Sequence, residues 1–147
     1  MITVLLVDDH VNLRKSLRFM LESSEDIQVI ATASNGVEAI SEARKHCPDV
    51  AVVDISMPVM DGIEATRQIR QHCQFTRVVM LSILDNPEYV QRALEVGAVG
   101  FVLKDAIARD LLAAIRALST GKRYFSQQIS EIAAKYMNRK NNDSWAS

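Results

Sequence analysis

Asp54 closes an apolar run, Asp49-Val50-Ala51-Val52-Val53-Asp54, and a proline-led turn follows at Pro58. β-Branched residues fill the run, so it reads as a buried strand that delivers a carboxylate to the rim of a sheet. Two further apolar runs end in chemistry-bearing residues: the first in Asp8-Asp9, another in Ser82. A fourth ends in Lys104. Carboxylates about 5 Å apart repel by about 3 kcal/mol at an effective dielectric near 20, so three of them need a counter-charge. A hard divalent cation with oxygen ligands supplies it, and Mg²⁺ suits a site with few carboxylates and a phosphoryl oxygen. Lys104 can pair Asp54 or a phosphoryl oxygen, and Ser82 can donate a hydrogen bond to that oxygen. The set describes phosphoryl transfer, with Asp54 as nucleophile and an aspartyl-phosphate as product. The plainer alternative for Asp8 and Asp9 is that they cap the helix that follows.

These residues are far apart in the chain, so the elements must gather them. Short apolar runs at 2–7, 27–33, 49–53, 77–82 and 99–103 alternate with amphipathic segments. Leu13, Leu17, Met20 and Leu21 make one stripe of a helix over 11–23. Asn35 with Glu38, and Asp61 with Glu64, start two more, the second over 62–71. Asn86-Pro87-Glu88 starts a fourth. Leu111, Leu112, Ile115 and Leu118 mark a fifth, stopped near Gly121. Five strands alternating with five helices predict an open parallel α/β sheet with helices on both faces. Ligands in such sheets bind beyond the carboxyl ends of the strands, where Asp8, Asp9, Asp54, Ser82 and Lys104 all fall.

The bulk numbers agree with one globular domain. The chain has 147 residues, 48% hydrophobic and 24% charged, with a net charge of −1. That balance gives no electrostatic reason for nucleic-acid binding by this chain. No apolar stretch approaches the roughly 20 residues of a membrane span. The start, Ile2 to Val7, shows no basic region or cleavage site, so no leader is expected and a cytoplasmic location is. Cys47 and Cys73 form no C-x-x-C pair and are expected to be reduced thiols. Residues 1–121 read as the main domain. In 122–147, Ser126 to Met137 predicts one more helix, and Asn138 to Ser144 a polar linker. A linker that leads to nothing suggests a chain cut short of a further domain.

Val7-Asp8-Asp9-His10, Asp54 through Gly62, Leu81-Ser82 and Phe101-Val102-Leu103-Lys104 together resemble the receiver domain of bacterial two-component response regulators, over about residues 2–120. The resemblance implies a flavodoxin-like, five-stranded parallel sheet of order 2-1-3-4-5. It implies Asp54 as phosphoacceptor for a sensor histidine kinase, and Mg²⁺ bound by Asp8, Asp9, Asp54 and the backbone carbonyl of Ser56. Lys104 and Ser82 would bind the phosphoryl group. Ser82 and Phe101 would be the switch pair, with the aromatic ring turning inward. Gly100 to Ala106 and the helix after it are similar to the NarL/FixJ subfamily, whose members carry a LuxR-type helix-turn-helix domain. That subfamily implies dimerisation on phosphorylation, and DNA binding only through a domain not in this chain. Such a chain is no turnover enzyme, although it would catalyse its own phosphoryl transfer and slow autodephosphorylation.

Two positions depart from the pattern. Asp105 stands where many receivers have proline, and a cis bond there would cost about 3 kcal/mol. Ile83 follows Ser82 where many have a small residue, which predicts a crowded pocket and slower reaction with small phosphodonors. Ser56, two residues after Asp54, is expected to influence water access.

Other functions fit the same residues less well. A stand-alone receiver or phosphorelay carrier would have little need of the tail beyond Gly121. A haloacid-dehalogenase-like phosphatase also uses an aspartate nucleophile, but wants a second aspartate where Ser56 stands. A flavodoxin would find its phosphate repelled by Asp8-Asp9. His10 reads as solvent-facing at the strand-to-helix turn, and His46 and His72 as helix-end cations. Met57 and Met60 read as loop packing. Phe101 can equally be plain core. Arg109 and Arg116 mark an exposed face of the fifth helix, and Lys122-Arg123 is too short for a nucleic-acid patch. Trp145 lies in the polar tail and carries no functional signal.

Overall fold

The structure, a computed structural model, describes residues 1–83 and 85–146, with side chains described through Asn138. The chain runs β1 (Ile2–Val7), α1 (Val11–Glu22), β2 (Ile27–Ala33), α2 (Gly36–His46), β3 (Val50–Asp54), α3 (Gly62–His72), β4 (Arg77–Ser82), α4 (Pro87–Glu95) and β5 (Gly100–Leu103). A 3₁₀ turn (Lys104–Ala106), α5 (Ile107–Ser119), β6 (Tyr124–Phe125) and α6 (Gln127–Ala146) complete it. The sheet is parallel throughout, in the order β2-β1-β3-β4-β5-β6. It is therefore an α/β sheet of flavodoxin-like class.

Alternating side chains along the strands feed two separate cores, as a period of two requires. Leu5, Val7, Ala51, Val53, Met80, Phe101 and Leu103 face one side, with residues of α2, α3 and α4. Val4, Leu6, Val50, Val52, Leu81 and Val102 face the other, with α1 and α5. Strands buried on both faces read as continuous apolar runs, which is why they stand out in the sequence. Three helix starts form as their capping residues dictate. Asn35 Oδ1 accepts from Glu38 N at 2.9 Å, Asp61 Oδ1 from Glu64 N at 2.9 Å, and Asn86 Oδ1 from Glu88 N at 2.9 Å.

The structure corrects the sequence reading in four places. The sheet has a sixth strand, because Tyr124–Phe125 pairs in parallel with Gly100 and Phe101. Two residues are too few to give a strand period. The segment 138–144, expected to be linker, continues α6 to Ala146. It contains no proline or glycine, the residues that would interrupt a helix. Cys47 and Cys73 are joined by a disulfide, with Cα atoms 5.5 Å apart. They end α2 and α3, and only the packing of those helices brings the thiols together. Ile83 does not crowd a pocket interior, since it is 75% exposed. The Lys104–Asp105 bond is trans, there being no cis peptide among the described residues.

Candidate functional site

Register places the site. Val7 pairs with Val53, Asp54 with Leu81, and Ser82 with Leu103. The residues that follow or end these strands, Asp8, Asp54, Ser82 and Lys104, thus share one edge. β1 lies between β2 and β3, so the edge includes the point where the strand order reverses.

Asp8 and Asp54 are buried, and Asp9 is half-buried. Lys104 Nζ donates to Asp54 Oδ2 at 3.0 Å and lies 3.5 Å from Asp8 Oδ2. Ser56 N donates to the other Asp54 oxygen at 3.2 Å. Ser82 is buried at the end of β4. Burial pushes the Asp54 carboxyl up. Lys104 opposes that, Asp8 adds to it, and the net result lies above the ordinary value of 3.8.

Asp8 and Asp9 are not helix caps. The N-cap of α1 is His10, with no side-chain capping bond. Asp8 Oδ1 instead accepts from His10 N at 2.8 Å, which turns the chain. His10 is exposed, with Nδ1 3.2 Å from Asp8 Oδ1 and 3.3 Å from Asp9 Oδ1. One ligand atom each from Asp8, Asp9, His10 and Asp54 fall within 4.8 Å of one another.

The donor set fits a hard cation on the structure's own terms. Asp8 Oδ2 and Asp9 Oδ1 are buried and accept no hydrogen bond. A buried carboxylate oxygen left without a donor is costly, and a cation coordinated by these oxygens removes the cost. The acidic pocket of Asp8, Asp9 and Asp54 can therefore hold a metal ion.

Two glycine and loop features shape the edge. A Cβ at Gly62 would overlap the carbonyl oxygen of Asp54, so the start of α3 presses directly on the end of the strand that bears Asp54. Val59, between them, takes φ 70°, a left-handed conformation that a β-branched residue rarely adopts. Hydrogen bonds from Met60 N to Pro58 O (2.7 Å) and Gly62 N to Ile55 O (2.8 Å) hold the loop in place.

Phe101 is 1% exposed, so its ring already lies inward in the unmodified chain. Its buried cluster includes Ile129 and Ala133 of α6. Sequence reasoning missed Arg14, whose guanidinium donates to the carbonyl of Asp8 at 2.6 Å. It also missed Asp110 and Ser126, both buried and both bonded to each other behind β5. An Asp inside the apolar stripe of α5 was the available signal.

A parallel sheet of this order, with a trio of carboxylates and a lysine at its carboxyl edge, defines an α/β module with a candidate cation site at that edge. The chain belongs to the response regulator receiver domain family, whose pattern matches residues 4–116. It is 33% identical over 142 residues to the oxygen regulatory protein NreC of Staphylococcus haemolyticus, covering 95% of this chain and 65% of that protein. It is 35% identical over 132 residues to the nitrate/nitrite response regulator NarL of Escherichia coli, covering 90% of this chain and 61% of that one. Among solved structures it resembles a LuxR-family two-component response regulator from Aurantimonas sp. SI85-9A1. The TM-score is 0.87 at 33% identity, covering 92% of this chain and 96% of that one. The chain thus spans less than two thirds of the length of the curated relatives it matches. It is a receiver domain similar to those of NarL- and LuxR-family response regulators. No described helix is long and apolar enough to cross a membrane.

Proposed function

We infer that this chain accepts a phosphoryl group on Asp54 from a sensor histidine kinase and converts that charge change into a change of surface. One observation carries the reading: a half-buried lysine bonded to a buried aspartate at 3.0 Å, beside two buried carboxylate oxygens that accept no hydrogen bond. In the transfer, an Asp54 oxygen forms a bond to phosphorus as the P–N bond of the kinase's phosphohistidine breaks. The electron pair returns to the imidazole, which then takes up a proton. Mg²⁺, held by Asp8, Asp9, Asp54 and the backbone carbonyl of Ser56, would neutralise charge building on the phosphoryl oxygens.

The chain's own residues do the rest. Asp54 is held for in-line attack by the Ser56 N–H and by Lys104. Lys104 exchanges its Asp54 partner for a phosphoryl oxygen, and Ser82 donates to a second. Ser82 and Phe101 are the switch pair. Phe101, already inward, reports by repacking within its cluster and not by a swing from solvent. Slow autodephosphorylation returns the ground state. The output is dimerisation, with DNA binding through a domain outside this chain. The location is the cytoplasm, where a reducing poise would open the Cys47–Cys73 bond.

The test is phosphodonor labelling with Mg²⁺ against EDTA, on wild type and Asp54→Asn, with oligomeric state measured alongside. Label should need both Mg²⁺ and Asp54. Equal labelling of Asp54→Asn would sink the reading.

A further inference from the structure

Behind the site, a buried polar cluster joins three elements that the transfer chemistry does not use. Ser126 directly precedes α6, and its carbonyl accepts the first helical bonds, from Ile129 N at 2.8 Å and Ser130 N at 3.0 Å. A serine at that position ordinarily turns its hydroxyl onto the amides of the helix it begins. Ser126 does not. Its Oγ is turned back to the sheet, where it accepts from Leu103 N at 3.1 Å and donates to Asp110 Oδ2 at 2.9 Å. Its own N–H donates to Phe101 O at 2.9 Å. Ser126 therefore grips β5 at two alternate residues, Phe101 and Leu103.

Asp110 fixes that hydroxyl. Its second oxygen accepts from Tyr124 OH at 2.8 Å, and Arg109 lies 3.4 Å away. Burial works to raise this carboxyl. The bonds from Tyr124, Arg109 and Ser126 together outweigh burial and hold it below 3.8, so it is an ionised acceptor at neutral pH. An ionised acceptor obliges the Ser126 hydroxyl to donate to it, which leaves the oxygen's lone pairs for Leu103 N–H.

Leu103 is the residue before Lys104, and Lys104 Nζ must stay within reach of Asp54. We propose that Ser126, held by Asp110, is a positioning residue for Lys104: it sets the end of β5 from which the lysine reaches the phosphoacceptor, and so couples the site to the start of α6. The inference rests on the phosphoacceptor reading above and deepens it. Coupling of this kind is reciprocal. Whatever shifts α6 alters how Lys104 meets a phosphoryl group, and phosphoryl binding by Lys104 bears on α6.

The experiment labels the full 147-residue chain with acetyl phosphate and Mg²⁺. It uses wild type, Ser126→Ala, Ser126→Thr and Asp110→Asn, and reads Leu103 amide exchange and melting in parallel. Ser126→Ala should label roughly two- to tenfold more slowly, the range set by one hydrogen bond's net contribution. Ser126→Thr keeps the hydroxyl and should restore the rate. Asp110→Asn, which weakens the acceptor without removing the serine, should fall between. It also serves if Ser126→Ala does not fold. Labelling at the wild-type rate in Ser126→Ala, with faster Leu103 exchange, would make the hydroxyl a purely structural pin and overturn the proposal. Wild-type labelling together with unchanged Asp110→Asn would overturn the role given to Asp110. If wild type takes no label at all, the phosphoacceptor reading itself falls, and this one with it.

Discussion

Asp54→Asn should make the metal-free chain more stable, although it removes the buried half of a part-buried ion pair. Lys104 Nζ at 3.0 Å attracts the Asp54 carboxylate by about 5.5 kcal/mol at an effective dielectric near 20. Asp8 presents an oxygen within 4.8 Å, which repels by about 3.5 kcal/mol on the same scale. Asp9 lies within the same distance, but is partly exposed, so its repulsion is screened to about 2 kcal/mol. Attraction and repulsion nearly cancel, and the desolvation of a carboxylate that is 1% exposed decides the sign. The substitution does not strand the lysine, which keeps Asp8 Oδ2 at 3.5 Å. An asparagine side-chain oxygen can keep the bond from Ser56 N. We expect a gain of about 1–2 kcal/mol at neutral pH, read by urea unfolding in EDTA.

The pH dependence has a definite sign. The folded-state pKa of Asp54 lies above 3.8, so its contribution to stability is fully present below 3.8 and is lost as pH rises through the folded value. The advantage of Asp54→Asn therefore shrinks as pH is lowered. Millimolar Mg²⁺ should narrow or reverse it, because a cation bound only by the folded wild type stabilises that state by mass action. If Asp54→Asn is less stable than wild type in EDTA, the carboxylates are not under-compensated, and this account of the site is wrong.

Other outcomes follow from the same structure. Gly62→Ala should cost about 3 kcal/mol in chemical denaturation and slow labelling, because the new Cβ can fit only by moving the Asp54 carbonyl. Reductant, or Cys47→Ser with Cys73→Ser, should lower stability by about 3.5 kcal/mol for a bond spanning 26 residues. That corresponds to a melting point lower by roughly 7–14 °C, and an unchanged melt would show that the bond does not constrain the chain. Ile83→Ala should change acetyl-phosphate labelling by less than about twofold and stability by under about 0.5 kcal/mol, since the side chain is mostly in solvent. A marked acceleration would mean that Ile83 screens Asp54 from incoming donors.

The main elements were legible because each announces itself locally. β1, β3, β4 and β5 supply buried apolar residues to both faces, and an apolar run needs no partner to be seen. Asn35, Asp61 and Asn86 cap the helices they were expected to start. β6 was not legible. Two residues carry no period, and Tyr124–Phe125 is a strand only because β5 offers an open edge beside it. The tail beyond Met137 misled for the opposite reason. A polar composition fits a linker and a solvated helix equally well.

The sequence by itself determined which residues could do chemistry. Asp8, Asp54, Ser82 and Lys104 stand out because strand ends are marked in the chain and their side chains are wrong for a core. Tertiary structure decided what they do to one another. Pairing register sets the 3.0 Å between Lys104 and Asp54, and burial sets the direction in which Asp54 titrates. It also decided what no local pattern can encode. Cys47 meets Cys73 because α2 packs on α3, and Ser126 meets Asp110 and Leu103 because β6 docks on β5. Composition and spacing report what one segment prefers. Distances between segments arise only when the chain closes on itself, and here they fix both the charge balance at Asp54 and the grip on the strand that carries Lys104.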